Sequence, residues 1–256
     1  MRLTVLGCSG SMSSPESASS SYLVQADDGE RTHSVLLDLG SGAMGQLLRH
    51  HDPTAVDAVL LSHLHADHVV DLAALHVYLQ YGPAGPQPPM PVHGPEGTIE
   101  RIRQLCGEED CEEQFAVGTW QPGRPLQVGP MTIEVFEVRH PVTAYALRVT
   151  GPREDGSGPV VLTYTGDTDS CTGVIDAARE ADLLLSEAAF WEDGPQIRGL
   201  HLTGRRAGEV ATAAEARHLV LTHLQPWTPA ETVRSEALTA FDGPVDLAAP
   251  GAVWEL

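Results

Sequence analysis

The chain carries the sequence His-Leu-His-Ala-Asp-His, which begins at His63, one residue after the apolar segment 58–61. The apolar segment predicts a short buried strand. In extended backbone, His63 and His65 point the same way, because side chains alternate with a period of two. The turn that follows lets Asp67 and His68 face a second metal ion. Imidazole and carboxylate groups at this spacing favour a metal site over a surface cluster of histidines.

Three more side chains of these types each follow an apolar segment that predicts a strand: His140, Asp167 and His223. One strand-end histidine is weak evidence, but three of these residues in one chain with the first motif point to a single site. Segments of helical periodicity, among them 69–79 and 203–214, are interspersed with the strands. This pattern predicts an α/β chain in which two sheets pack together with helices outside.

Length predicts the number of domains, and charge limits the classes of partner that the chain can bind. It has 256 residues, 42% of them hydrophobic, which predicts one globular domain over residues 1–256. The formal net charge is −20. A surface this negative repels phosphate backbones, so a long nucleic acid is not an expected partner, whereas a small anion could still bind at a metal pair.

The expected compartment is the cytoplasm, and no membrane partner is expected. The opening residues lack the apolar core of a signal peptide, and no apolar run approaches transmembrane length. The four cysteines are then expected to be free thiols: Cys8, Cys106, Cys111 and Cys171. Pairing of Cys106 with Cys111, or metal binding by them, stays open at this point, although a second cysteine pair to complete a zinc motif is absent.

The order of these motifs resembles the metallo-β-lactamase-fold metallo-hydrolases over nearly the whole chain. This resemblance implies a four-layer αββα sandwich with two divalent metal ions, expected to be Zn²⁺, with Mn²⁺ and Fe²⁺ as alternatives. It assigns His63, His65 and His140 to one ion. It assigns Asp67, His68 and His223 to the other, and Asp167 to both. Asp38, which ends an early strand, is implied to orient ligands from behind them.

The segment His201-Leu202-Thr203 resembles a motif of the phosphodiesterase branch, which includes ribonuclease Z and class II-like cyclic nucleotide phosphodiesterases. The resemblance places His201 near the scissile phosphate. Ribonuclease Z has a long RNA-binding arm between the residues matching His140 and Asp167, where this chain has only 26 residues. The opening segment 7–24 and the late segment 221–228 are similar to a subgroup described as atypical class II cyclic AMP phosphodiesterases.

The expected activity is hydrolysis of small phosphodiesters such as 3′,5′-cyclic nucleotides by a hydroxide that bridges the metal ions. Asp67 would hold the nucleophile, and His201 would stabilise or protonate the leaving group. The alternatives are a lactonase, thioesterase or β-lactamase on the same metals, a ribonuclease, or a binding domain on an inactive fold. The family also allows a homodimer. Trp227 is a candidate for capping the site or stacking a base, or for ordinary packing.

Overall fold

Fifteen strands and seven α-helices, numbered here in chain order, occur in the computed structural model, which describes residues 1–107, 111–194 and 197–256. The first sheet contains β1 (Arg2–Ser9), β2 (Ala18–Ser19), β3 (Ser21–Asp27), β4 (Thr32–Leu37), β5 (Ala58–Leu60), β6 (Met90–Gly94), β7 (Phe115–Thr119) and β15 (Val253–Glu255). The second contains β8 (Leu126–Val128), β9 (Met131–Glu137), β10 (Tyr145–Pro152), β11 (Pro159–Tyr164), β12 (Leu183–Glu187), β13 (Leu219–Thr222) and β14 (Val245–Leu247). The helices are α1 (Ala43–His50), α2 (Ala66–Val69), α3 (Leu72–Tyr81), α4 (Thr98–Cys106), α5 (Thr172–Ala178), α6 (Gly204–Ala213) and α7 (Ala230–Leu238).

Each sheet has a block of parallel strands. The first sheet runs in the order β15-β1-β3-β4-β5-β6-β7, with β2 beside β1, and β4 through β7 are parallel. The second runs in the order β14-β13-β12-β11-β10-β9-β8, and β11 through β14 are parallel. The carboxyl ends of parallel neighbours lie at the same edge of a sheet. The loops that follow β4 and β5, and those that follow β11, β12 and β13, are therefore gathered at two such edges.

The apolar runs are continuous because both faces of the central strands are covered. In β4, Val35 and Leu37 belong to the core between the two sheets, while Leu36 packs under the helices that cover the first sheet. In β12, Leu185 lies in the core between the sheets and Leu184 packs under the helices on the second sheet. One apolar layer thus lies between the two sheets, and one lies between each sheet and the helices that cover it. The four-layer αββα sandwich is confirmed.

Some local predictions were wrong. The segment 69–79 is not one helix: α2 ends at Val69 and α3 begins at Leu72. Between them, Asp71 accepts a hydrogen bond from the backbone N–H of Met44, which anchors α1. Strands β6, β7 and β8 were not predicted, because all three are short, and β6 and β7 also contain Pro91 and Gly118, which have low strand propensity.

None of the four cysteines, all of which the structure describes, forms a disulfide, so Cys106 and Cys111 do not pair. Among the described residues, no helix has both the length and the apolar character needed to cross a membrane. The extent of the domain, residues 1–256, stays a prediction.

Candidate metal centre

Four predicted ligands form a first group at the edge where the loops after β5 and β11 meet. They are His63, His65, His140 and Asp167, and their nearest donor atoms lie within 4.8 Å of one another. Nε2 of His63 is 3.1 Å from Nδ1 of His65, and Nε2 of His140 is 3.2 Å from the same Nδ1 atom. Three imidazole nitrogens therefore converge on one small volume, with a carboxylate beside them.

A second group contains the other predicted ligands, and Asp167 belongs to both. Asp67, His68, Asp167 and His223 also have donor atoms within 4.8 Å of one another. Nε2 of His223 lies 3.3 Å from Nε2 of His68 and 3.2 Å from Oδ2 of Asp67. Oδ1 of Asp167 is 3.3 Å from Nε2 of His68. These two groups, seven residues in all, are called the metal centre below.

The donor atoms fit a pair of divalent cations. The Nδ1–H of His140 donates to the carbonyl of Leu200 at 2.9 Å, and the Nδ1–H of His68 donates to Asp38 at 2.7 Å. In the neutral form of each ring, this bond leaves a lone pair on Nε2, which points into the cluster. Oδ1 of Asp167 is buried and accepts no hydrogen bond from the described residues. Cations at the two groups would satisfy these converging lone pairs, which makes the chain's donor set suitable for them.

Asp38 lies directly behind the metal centre. It is fully buried, and its carboxylate accepts hydrogen bonds from the N–H and Oγ–H of Ser62, both at 2.7 Å, and from the hydroxyl of Tyr164 at 2.8 Å. The fourth bond, from His68, fixes the orientation of that ring. Ser62 precedes His63 in the chain, so one carboxylate positions both sides of the His-rich loop.

Strained backbone is concentrated here. Among the described non-glycine residues with positive φ, three belong to this region: Ser11 (62°), Asp38 (58°) and His223 (57°). The left-handed region disfavours ordinary side chains, and such residues persist only where the surroundings hold them. At Asp38 and His223 the chain leaves its strand in this conformation and turns sharply at the sheet edge. The turn brings each of these side chains to the metal centre.

Three imidazoles and the Asp67 carboxylate of the metal centre have lowered pKa values. Burial lowers the pKa of His63 well below its ordinary value, and burial also lowers the pKa of His65 and of His140. These three rings are therefore neutral near pH 7, the form that binds metal ions. Burial alone would raise the pKa of Asp67, but hydrogen bonds from His223 and His68 outweigh it and lower that pKa well below its usual range.

His201 lies beside the metal centre. It is buried, and its ring centroid is 5.3 Å from that of His223 and 5.7 Å from that of His140. Its Nδ1–H donates to Oε1 of Glu187 at 2.9 Å. Burial would lower the pKa of His201, but the Glu187 carboxylate raises it to about 9. Glu187 was not predicted as a site residue; its position at the end of the apolar strand β12, like that of the predicted strand-end residues, was the available signal.

A buried ion pair holds the segment that leads to His201, and it too was missed from sequence. The carboxylate of Asp169 is fully buried and pairs with the guanidinium of Arg206, on α6. Asp169 also accepts a hydrogen bond from the N–H of Gly199 at 2.7 Å. The loop after β11 is thereby joined to both sides of the segment that carries His201.

A family model described as the beta-lactamase superfamily domain matches residues 33–224, three quarters of the chain. The chain is 36% identical over 257 residues to the probable metallo-hydrolase YhfI of Bacillus subtilis, covering all of both proteins. The chain belongs to the metallo-hydrolases of the beta-lactamase superfamily. It is also 42% identical over 250 residues to protein Rv1339 of Mycobacterium tuberculosis, a match that covers 96% of this chain and 88% of that protein.

Solved structures of this metallo-hydrolase superfamily have the same fold. The crystal structure of YhfI from Bacillus subtilis superposes with a TM-score of 0.85 at 35% identity, covering 100% of this chain and 98% of that one. Human tRNase Z, short form, superposes with a TM-score of 0.73 at 23% identity, covering 99% and 98%, and shows the fold alone. A ribonuclease Z of Halorubrum lacusprofundi is 29% identical over 294 residues, covering 95% of this chain and 93% of that protein.

One cavity adjoins the metal centre of this metallo-hydrolase. Its volume is about 250 Å³, and its wall includes His65. The rest of the wall is formed by Leu64, Pro95, Glu96, Val142 and Thr143. A cavity of this size beside proposed metal ligands can hold part of a small molecule.

Proposed function

We propose that the chain is a dinuclear metal-dependent phosphodiesterase of the cytoplasm, and that it hydrolyses small phosphodiesters such as 3′,5′-cyclic nucleotides. The observation that carries this proposal is the position of His201. It is a buried imidazole next to both groups of the metal centre and is held by Glu187. An imidazolium there can stabilise a phosphoryl oxygen and protonate an alkoxide, which the hydrolysis of a phosphodiester requires.

The metal centre would hold the two ions as follows. His63, His65 and His140 would bind one, and Asp67, His68 and His223 the other, with Asp167 shared. Two divalent ions supply hydroxide near neutral pH and offset the charge on phosphoryl oxygens when they are bound. Zinc is the proposed metal, because these nitrogen and oxygen ligands suit it, and Mn²⁺ and Fe²⁺ accept the same ligands.

Two side chains of the protein would handle the protons. The carboxylate of Asp67 stays ionised because of its lowered pKa, so it can accept the hydrogen bond that orients the attacking water. As the new P–O bond forms, the bond from phosphorus to the ester oxygen breaks. The imidazolium of His201 then gives a proton to the departing alkoxide, and Glu187 keeps that ring in place through Nδ1.

The connection between β10 and β11 favours a small substrate. The two strands are paired along their length, from Leu147 opposite Tyr164 to Pro152 opposite Pro159, and residues 153–158 join them. An arm for gripping RNA is therefore absent between these described strands. The net charge of −20 also opposes the approach of a long polyanion.

A turnover screen with the metal defined tests this function. The purified chain, loaded with Zn²⁺, is assayed on 3′,5′-cyclic nucleotides, linear dinucleotides, bis(p-nitrophenyl) phosphate and a panel of lactones and thioesters. We expect hydrolysis of the phosphodiesters, with cyclic nucleotides preferred. Turnover of lactones or thioesters with none of phosphodiesters would overturn the proposal.

A further inference from the structure

Trp227 is 60% exposed, although it lies on the loop that follows the proposed ligand His223. Tryptophan normally buries most of its large apolar surface. An indole this exposed favours a role in ligand contact over ordinary packing. The loop places this indole four residues after a member of the metal centre.

The backbone under Trp227 is a tight turn. The N–H of Thr228 donates to the carbonyl of Gln225 at 2.8 Å, which leaves Pro226 and Trp227 as the two central residues. Proline at the first central position fixes the φ angle that such a turn requires. The Thr228 hydroxyl also donates to the carbonyl of Ala189 at 2.9 Å, which anchors the turn to the loop after β12.

Two hydrogen bonds then fix the side chain. The indole Nε1–H of Trp227 donates to Oε1 of Gln225 at 2.9 Å, and Nε2 of Gln225 donates to Oγ of Ser11 at 2.9 Å. The backbone nitrogen of Ser11 is 3.4 Å from Nε2 of His223. A continuous series of contacts therefore runs from the indole to the metal centre. Since the indole N–H already has a partner, the ring face is the part of Trp227 that remains for a ligand.

The loop that carries Ser11 is itself fixed. The N–H of Gly10 donates to the carbonyl of Leu224 at 3.0 Å, and a Cβ at Gly10 would lie 2.2 Å from the carbonyl oxygen of His223. Only glycine allows this close approach of the two loops. Met12, the next residue after Ser11, is 52% exposed, so a second apolar side chain is presented by this pair of loops.

We propose that Trp227 is a stacking platform for the heterocyclic base of a nucleotide whose phosphate lies at the metal centre. The inference rests on the proposed phosphodiesterase function and names the part of the substrate that Trp227 would contact. Stacking suits a chain with a net charge of −20, because attraction to the face of a base does not require a positively charged protein surface. Alanine substitution at a stacking position typically costs about 1–3 kcal/mol per base, or roughly 5- to 150-fold in affinity.

The test compares two cyclic phosphodiesters that differ only in the base: 3′,5′-cyclic adenosine monophosphate and the 3′,5′-cyclic phosphate of methyl riboside. We expect Trp227→Ala to raise KM for the nucleotide about 10-fold, with little change in kcat, and to leave KM for the base-free compound unchanged. Trp227→Phe should retain most of the affinity, and Gln225→Ala should show a smaller loss. Tyr81→Ala, which removes another exposed aromatic at the end of α3, is the matched control and should change neither KM.

Equal KM values for the two compounds in the unaltered chain would overturn the platform while leaving the phosphodiesterase intact. So would an equal effect of Trp227→Ala on both compounds, or a change only in oligomeric state, which would make this face an interface between copies. If neither compound is hydrolysed, binding decides the question. Quenching of tryptophan fluorescence by adenosine 5′-monophosphate and not by ribose 5-phosphate, lost in Trp227→Phe, would support the platform even where the phosphodiesterase proposal fails. Equal quenching by both would overturn it.

Discussion

Nδ1 of His201 lies 2.9 Å from Oε1 of Glu187, and both side chains are buried beside the metal centre. The same carboxylate accepts the N–H of Thr168 at 2.9 Å and the N–H of Ala189 at 3.0 Å. Glu187 is therefore fixed by the backbone on two sides, and its hold on Nδ1 determines which nitrogen of His201 faces away from it. This relationship makes the role of His201 testable apart from metal binding.

We expect His201→Ala to lower kcat on a cyclic nucleotide by about 10²–10⁴-fold, the usual contribution of a general acid. The leaving group of that substrate is a sugar alkoxide, which needs a proton. The loss should be much smaller for bis(p-nitrophenyl) phosphate, because p-nitrophenolate leaves with little protonation. Glu187→Gln should show the same dependence on the leaving group with a smaller loss.

The control for this comparison is metal content, which should be unchanged in His201→Ala because seven other residues form the metal centre. Equal losses on both substrates would mean that His201 binds phosphate or holds structure. Loss of a metal ion from the variant would place His201 among the ligands, where its proximity to His223 and Glu187 makes a third ligand group geometrically possible.

The sequence predicted the residues whose signal is a repeated local pattern. Each of the seven proposed ligands follows an apolar strand or lies in the first motif, and the structure brings all seven together. The layers were predictable for the same reason, since runs such as Leu183-Leu184-Leu185 need cover on both faces. Glu187, Asp169 and Arg206 were missed, because each is a single charged residue whose partner is distant in sequence.

We expect two metal ions per chain, and we expect His63→Ala and Asp167→Ala each to abolish turnover. Asp167 should be the more damaging loss, because its carboxylate lies in both ligand groups and both ions would lose a donor. Elemental analysis of the purified variants measures this directly. A fully active chain with one ion or none would refute the dinuclear centre.

Asp38→Ala should lower metal affinity by about 10- to 100-fold, the usual cost of losing a residue that orients a ligand. The Asp38 carboxylate accepts the Nδ1–H of His68, so its removal frees that ring to turn. Titration with a competing chelator gives the affinity. Asp57→Ala is a suitable control, since that carboxylate binds Arg31 and the N–H of Ser34. Equal metal affinity in Asp38→Ala and the unaltered chain would contradict this role.

Stability should depend on pH through Asp182. Burial would raise the pKa of Asp182, but the N–H of Val161 and the guanidinium groups of Arg153 and Arg217 outweigh it and lower that pKa. A carboxylate whose pKa is lower in the folded state stabilises the fold at pH values above its unfolded-state pKa, which is about 3.9. This stabilisation is lost as the pH falls through the folded-state pKa. Asp182→Asn should therefore reduce the free energy of unfolding by about 1–3 kcal/mol at pH 7.

The difference between Asp182→Asn and the unaltered chain should shrink as pH falls below about 4, which urea unfolding at several pH values would measure. Asp176→Asn is the control: its partner Arg179 is exposed, and a surface ion pair contributes only about 0–1 kcal/mol. A difference for Asp182→Asn that stays constant with pH would mean that the lost stability comes from packing and not from the charge.

We expect no meaningful 3′ processing of precursor tRNA at physiological salt. Residues 153–158 join β10 to β11 directly, where ribonuclease Z has its RNA-binding arm, and the net charge of −20 repels the phosphate backbone. The assay compares cleavage of a precursor tRNA with hydrolysis of bis(p-nitrophenyl) phosphate by the same metal-loaded sample, so that an inactive preparation is recognised. Low salt should not rescue tRNA cleavage, because screening is weaker there and the repulsion from an acidic surface grows. Efficient cleavage at physiological salt would show that the metal centre admits RNA without an arm, and the restriction to small phosphodiesters would then be wrong.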